Sequence, residues 1–435
     1  MQGGIFMFKA NHKPLRSLIC ISFLSLSLVG CGTNEDQNAF KPALDTYTTA
    51  NISIQGHYDN FEAIDEQIDM FKSFYPNVTI KYDKVDNYTK EAVINNLFLG
   101  DNAPDIYFVN NSWENDSRYA KLFEYAEDLS AKETGIDISN VRDGLIYKDK
   151  ENHVPFVPIF TNAFGMIVNE ELFSKNHLKI PKTYQDLISV CNSFKDLGYD
   201  SPVMSYKGSI FSLYFPHFMG NIAKDKDGVK ALNDMDENAG EKIRSSLELA
   251  SDFLSYEFID KEKCVEEIAK DNTDSICYRF YEGDVPIIFT EVNRLSGSNK
   301  REAKSEAYQA HSFPYSFQPI PTLDNGGYYY NTLTLSFAVN KESKNLKMTN
   351  EFMRFLIRSE SLNGMSAKKR QISPAKVLGD DKLFNSFKDV LNQNQVVYNY
   401  EIGLSAEADI QVRKTFDAFL NGASMDEAIL DYGTY

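Results

Sequence analysis

Two carboxylates and one indole are the groups in this sequence whose settings could do chemistry. Asp59 closes the run His57, Tyr58, Asp59 behind a strand-like stretch, and Glu291 follows the run Val285 to Phe289, with Asn293 two residues on. Brought face to face, the two carboxylates would imitate the paired acids of a glycosidase. Trp113, the single Trp among 435 residues, follows Asn110, Asn111 and Ser112. An indole beside amides offers a flat apolar platform for a sugar ring, with neighbours that exchange paired hydrogen bonds with hydroxyls. Covering one ring face, of order 50 Å² at about 25 cal/mol per Å², yields only about 1 kcal/mol, so several such contacts are required. The competing reading of Trp113 is a rim or core aromatic.

Signatures of catalysis are missing from the sequence. The six histidines, His12, His57, His153, His177, His217 and His311, form no HExxH pair, and neither GxSxG nor a P-loop occurs. Of five cysteines, Cys20 and Cys31 lie near the start, leaving Cys191, Cys264 and Cys277 in the body. At most one disulfide can form among those three, with Cys264 and Cys277 the nearer pair, and no CxxC or Cys/His spacing suggests zinc. The expectation is a protein with no catalytic residues, no metal and no cofactor.

The elements that must position these groups alternate in type. Ile52 to Gln55 reads as a strand, and Phe61, Ile64, Ile68, Phe71 and Tyr75 share one helical face up to Pro76. Val78 to Tyr82 is a second strand, Thr89 caps a helix ended at Gly100, and Ile106 to Val109 is a third strand. This βαβαβ order predicts a mainly parallel sheet, with ligands beyond the carboxyl ends of its strands. Pro155 and Pro158 then predict an extended connector outside any sheet interior, followed by a buried strand from Phe164 to Val168 and a helix capped by Asn169. Phe160, Thr161 and Asn162 sit at this join between two units, a preferred place for a ligand cleft. Further on, Thr183 with Asp186 caps a helix, Ala239 to Tyr256 reads as one long helix, and Leu333 to Val339 alternates as a strand. Ile372 to Ala375 is a second Pro-marked return, and a Ser424/Glu427 capping box opens the last helix.

The N-terminus reads as a targeting segment. Lys9, Lys13 and Arg16 precede an apolar stretch from Leu18 to Val29, and no acidic residue occurs before Glu35. Roughly a dozen apolar residues are too few for a permanent span, which needs about 20. The run ends Leu28, Val29, Gly30, Cys31, which resembles a bacterial lipobox, so Cys31 is expected to carry lipid and become the new N-terminus. Cleavage there removes three positive charges and no acidic ones, taking the net charge from -17 to -20. Residues 31–50 are polar and read as a flexible tether. The working part is thus expected outside the cytoplasm, anchored to the bacterial cell membrane by lipid. A charge of -17 argues against nucleic acid as a partner, and hydrophobic residues at 43% exclude disorder. The length favours two domains.

Four stretches carry a family resemblance: FKSFYPNVTIKY with GDNAPDIYFVN, PIFTNAFGMIVNEELF with IPKTYQDL, FYEGDVPIIF, and LTLSFAVNKESKN with the helix through Phe355. In this order the chain resembles the sugar-binding class of extracellular solute-binding proteins of ABC importers, the class of maltose-binding protein. The resemblance implies an α/β, two-lobe periplasmic-binding-protein-like fold of type II with a hinge of three crossings, near Pro158 to Phe164, Leu323 to Tyr329 and Ile372 to Ala375. It implies an N-terminal lobe of residues 51–158 plus 329–372 and a C-terminal lobe of 164–323 plus 375–435, after a leader of 1–30. Asn162 stands where the family commonly has a sugar-binding carboxylate, and Ser112 and Trp113 where it places polar contacts. Asn293 falls near a stacking Trp, a departure that argues against maltodextrin. Glu291, Tyr329 and Asp409 fall at cleft positions, and Phe160, Tyr214 and the Tyr328 to Tyr330 cluster are further candidate cleft aromatics. With the groups at the strand ends and the join, the candidate ligand set is Tyr58, Asp59, Asn111, Ser112, Trp113, Phe160, Asn162, Glu291, Asn293 and Tyr329. The implied partners are a small-molecule carbohydrate and the permease subunits of an ABC transporter, with the chain a monomer. The alternatives are a lipoprotein for a non-sugar solute, and an adhesin or signalling co-receptor on the same fold.

Overall fold

Strand β1 (Ala50–Gly56) alternates buried and exposed positions, turning Ala50, Ile52 and Ile54 inward. The computed structural model describes residues 40–99, 103–110, 113, 120–204, 210–259 and 279–434. Cys31, Asn111, Ser112, Cys264 and Cys277 lie outside them. Residues Pro42–Tyr435 form one compact unit. Two strands, β2 (Val78–Lys84) and β3 (Ile106–Asn110), pair in parallel with β1, and the helices Glu62–Phe74 and Lys90–Leu97 make the connections. The first helix buries Ile64 and Phe71, and the second is capped by Thr89, whose hydroxyl accepts from the Ala92 amide at 3.2 Å.

Six further strands follow: β4 (Val157–Asn169), β5 (Val203–Met204), β6 (Ile287–Glu291), β7 (Tyr315–Gln318), β8 (Tyr329–Val339) and β9 (Val396–Tyr398). Among the described residues the strands form one nine-stranded mixed sheet, whose path runs β2-β1-β3-β8-β4-β6-β5. Off this path, β7 lies on β4 and β9 on β8. The expectation of parallel pairing holds for the first three strands, while β8 pairs antiparallel with both β3 and β4. The connector expected around Pro155 and Pro158 is overturned from Val157 onward: β4 is a continuous 13-residue strand in the middle of the sheet, with the strand expected from Phe164 as its second half. A proline is tolerated there because the register against β8 shifts between Pro158 and Phe160 and again between Phe160 and Thr161. The irregularity accommodates the residue that has no amide to donate.

β4 belongs to both halves of the sheet. Its residues up to Ala163 pair with β8, and from Phe164 onward it pairs with β6 and β7. Among the described residues, the second half holds an apolar cluster around Cys191, Phe194, Phe253 and Phe289 and another around Tyr214, Phe218, Leu247 and Phe416. The helix Tyr184–Asp196 begins with the Thr183/Asp186 capping box, and Ser424 and Glu427 make another. The single helix expected from Ala239 to Tyr256 is instead a tight turn, Ala239–Ile243, followed by a helix, Arg244–Ser255. Gly240 lets the last helix pack closely on this turn, since a Cβ there would lie 2.2 Å from the Ile429 carbonyl oxygen.

Two returns lock onto these strands. Ile372 accepts from both the amide and the hydroxyl of Thr161 in β4, at 3.2 and 2.9 Å. Before β8, Leu323 donates to the Gly326 carbonyl at 2.8 Å, and a Cβ on Gly327 would fall 1.9 Å from the Ile320 carbonyl oxygen. Gly327→Ala is expected to destabilise by about 1–3 kcal/mol, since the clash is with backbone. Urea denaturation checks this: the midpoint should fall with an unchanged slope.

Candidate ligand-binding site

Asn162 marks the point where β4 leaves the first half of the sheet for the second. It is only 4% exposed, and both ends of its amide are occupied. Nδ2 donates to Glu291 Oε2 at 2.7 Å, while Oδ1 accepts from the Asn293 amide at 3.0 Å. Both partners come from the end of β6 and the turn Val292–Leu295 behind it. Asn162 is therefore a brace that aims Glu291, in contrast to the ligand arm its position implied. Glu291 keeps 20% of its side chain exposed, with Arg294 Nε 3.5 Å from its other oxygen. Asn293 Oδ1 accepts from Thr334 of β8 at 2.7 Å, and the same hydroxyl lies 3.3 Å from Gln371 Oε1. One polar network thus joins β4, β6, β8 and the return at Ile372.

The ends of the first strands present rings. His57 is exposed and packs against Tyr58 at 4.4 Å and Tyr88 at 5.9 Å. Tyr88 donates to the Phe108 carbonyl at 2.8 Å and stacks on Trp113 at 5.8 Å and 13°. Lys369, at the end of the helix Ser359–Lys369, holds its Nζ 4.0 Å from the centre of the Tyr58 ring. Desolvation of the His57 ring and the Lys369 ammonium both hold His57 below the usual histidine range, which favours neutral imidazole. Burial raises the Tyr58 phenol well above its ordinary value, so it stays neutral.

Several candidates fall elsewhere. Phe160 is fully buried with its ring edge-on to Phe61 at 6.0 Å, and Tyr329 is fully buried, stacked on Phe317 at 5.8 Å. Both are core residues, because the strands that carry them are covered on two faces. Tyr214 stacks on Phe416 at 4.2 Å in an apolar cluster, and Tyr328 and Tyr330 are also buried. Trp113 is 8% exposed, so most of the expected platform is covered. Asp59 lies out at the rim, 91% exposed, bridged to Lys84 at 2.7 Å, and this bond keeps its carboxyl below the usual range. Asp409 pairs with Arg413 at 2.7 Å on the helix Ala406–Leu420.

The structure adds Tyr88, Arg294, Thr334, Lys369 and Gln371, none of which the sequence singles out. The Lys368, Lys369, Arg370 run reads as the solvated end of a helix, and nothing in it distinguishes its middle member. Among the described residues no group of three or more His, Cys, Asp or Glu is placed to hold a metal.

A mixed sheet threaded by two long shared strands, with a polar network at their junction, is the periplasmic-binding-protein-like architecture. Solved structures bear out this fold. RafE from Streptococcus pneumoniae, in its apo form, matches at 16% identity and a TM-score of 0.65 over 88% of this chain and 97% of that one. The sugar-binding protein MalE from Xanthomonas citri matches at 14% and 0.65, over 88% and 95%. A sugar transporter of Bacillus licheniformis, in complex with stachyose, matches at 15% and 0.55, over 87% and 97%. No curated protein matches the sequence. The chain belongs to the family of bacterial extracellular solute-binding proteins, whose model matches residues 55–362. Members of that family bind solutes and are not enzymes, so the Asp59 and Glu291 pair is not a catalytic one.

Proposed function

We propose that this chain is the lipid-anchored, extracytoplasmic binding subunit of an ABC importer, which captures a mono- or oligosaccharide and delivers it to permease subunits. Its lobes are residues 51–158 plus 329–372 and 164–323 plus 375–435, and the ligand lies between them. One observation carries the reading. The junction of the shared strands gathers amide, hydroxyl and carboxylate groups from Asn293, Thr334 and Glu291, while His57 and Tyr88 supply ring surface beyond the ends of the first strands. Polar arms with ring faces suit a polyhydroxylated guest. The stachyose complex of the similar B. licheniformis protein supports the same ligand class. Closure of the two lobes around the ligand would occur where β4 and β8 pass between them.

A thermal-shift screen over a carbohydrate panel tests this. A true ligand at 100 times its dissociation constant should stabilise the protein by about 2.7 kcal/mol. If no saccharide raises the unfolding temperature while a peptide, polyamine or metal ion does, the ligand class is wrong. The anchor is tested separately. Cys31→Ser should move the protein from the membrane fraction of cells to the soluble fraction, and persistence at the membrane would remove the lipid from the account.

A further inference from the structure

Lys369 is the group at this site whose charge is left over. Its ammonium lies over the Tyr58 ring at 4.0 Å, and among the described residues it has no acceptor oxygen and no ion pair. Glu62, the carboxylate that acts on it, and the two carboxylates of the candidate site are already matched. Asp59 is bridged by Lys84 at 2.7 Å, and Glu62 lies 3.4 Å from Lys300. Glu62 also accepts from Asn60 at 3.0 Å, and Glu291 is held by Asn162 and Arg294. Lys84 is shared with Asp86, whose side chain is exposed and therefore screened by solvent and salt.

The backbone keeps Lys369 close to the polar network. Its carbonyl accepts from the Gly297 amide at 3.3 Å, and two residues on, Gln371 meets Thr334 at 3.3 Å. Lys369 is half-buried, and desolvation, together with Lys300, lowers its pKa, while Glu62 acts the other way. A neutral sugar would stack on an open ring, but this face of Tyr58 is already covered by a cation. A chain of net charge -17 does not draw anions by its overall field, so an anionic guest needs a local positive group.

Resting on the saccharide reading above, we infer that the sugar recognised here carries a negative group, a carboxylate or a sulfate, and that Lys369 over the Tyr58 ring receives it. A charge-assisted hydrogen bond in a partly desolvated site is expected to favour the acidic ligand over its neutral counterpart by about 10- to 100-fold.

The test is calorimetric titration of the full chain with trigalacturonate, a glucuronate-bearing xylotriose and a sulfated galactose trisaccharide, against maltotriose and raffinose as neutral probes. The wild type should prefer an acidic probe by the stated factor. Added salt should weaken that probe and leave any neutral one unaffected. Lys369→Met should abolish the preference and Lys369→Arg should keep most of it, with unfolding temperatures measured without ligand to show that both variants fold. Should Lys369→Met fail to fold, the salt response and Lys369→Arg still decide the matter. The carboxylate and sulfate arms separate the two sources of charge. Neutral probes binding as tightly as acidic ones, or a preference that survives Lys369→Met, would overturn the inference and leave the saccharide reading standing. No binding by any saccharide would overturn both.

Discussion

Replacing Arg142 by Met lowers the stability of this protein by about 3–5 kcal/mol. Arg142 lies in the stretch before β4 and is 4% exposed. Its Nη1 donates to the Ser373 and Ala375 carbonyls at 2.6 and 2.9 Å, and Nη2 donates to Asn331 Oδ1 at 3.0 Å. The guanidinium also lies over the Phe387 ring at 5.0 Å. One side chain thus ties the return after Ile372 to β8, and the backbone bridge from Val141 to Ala375 runs beside it. Burial pulls its pKa below the usual arginine value, with Tyr398 opposing the shift, so the cation is held at a desolvation cost. Methionine would recover that cost but leave two carbonyls and an amide oxygen without donors, and the unpaired acceptors dominate. A lysine ammonium in the same place cannot span three acceptors on two segments, so Arg142→Lys should fall between wild type and Arg142→Met. Chemical denaturation reads the effect. A loss under about 1 kcal/mol for Arg142→Met would mean that these bonds contribute little beyond the desolvation they require.

Trp113→Ala is the second large effect, also about 3–5 kcal/mol. The sequence places this indole as a ligand platform, whose loss would weaken binding and spare the fold. Its 8% exposure and its stacking on Tyr88 make it a packed ring instead. Removing it takes support from Tyr88, which contacts His57, so the ring surface of the candidate site should loosen along with the fold. Trp113→Phe should recover most of the stability, because an aromatic can still stack on Tyr88. An alanine variant with an unchanged unfolding temperature but weakened sugar binding would restore the platform reading.

Local signals were legible where a short-range rule governs the outcome. The caps at Thr89, Asn169, Thr183 and Ser424 all form, each bonding a helix amide three residues on. The strands around Ile52, Ile80 and Phe108 form as their alternation or apolar run predicts. Pro158 shows where that reading fails. A missing amide argues against a central strand, yet the sheet shifts its register and keeps the residue. The cost is local, and burying the long strand from both sides outweighs it.

By itself the sequence determined the order of elements, the helix starts and the family resemblance, because each depends on neighbours within a few residues or on motifs kept in line. Only the tertiary structure decided which rings are core and which are surface, since Phe160 and Tyr329 read like Tyr58 until strands from distant parts of the chain cover them. It alone matched Asn162 with Glu291 across 129 positions and left the Lys369 ammonium on a tyrosine ring. Partner choice among charges follows distance through space, which chain order does not encode.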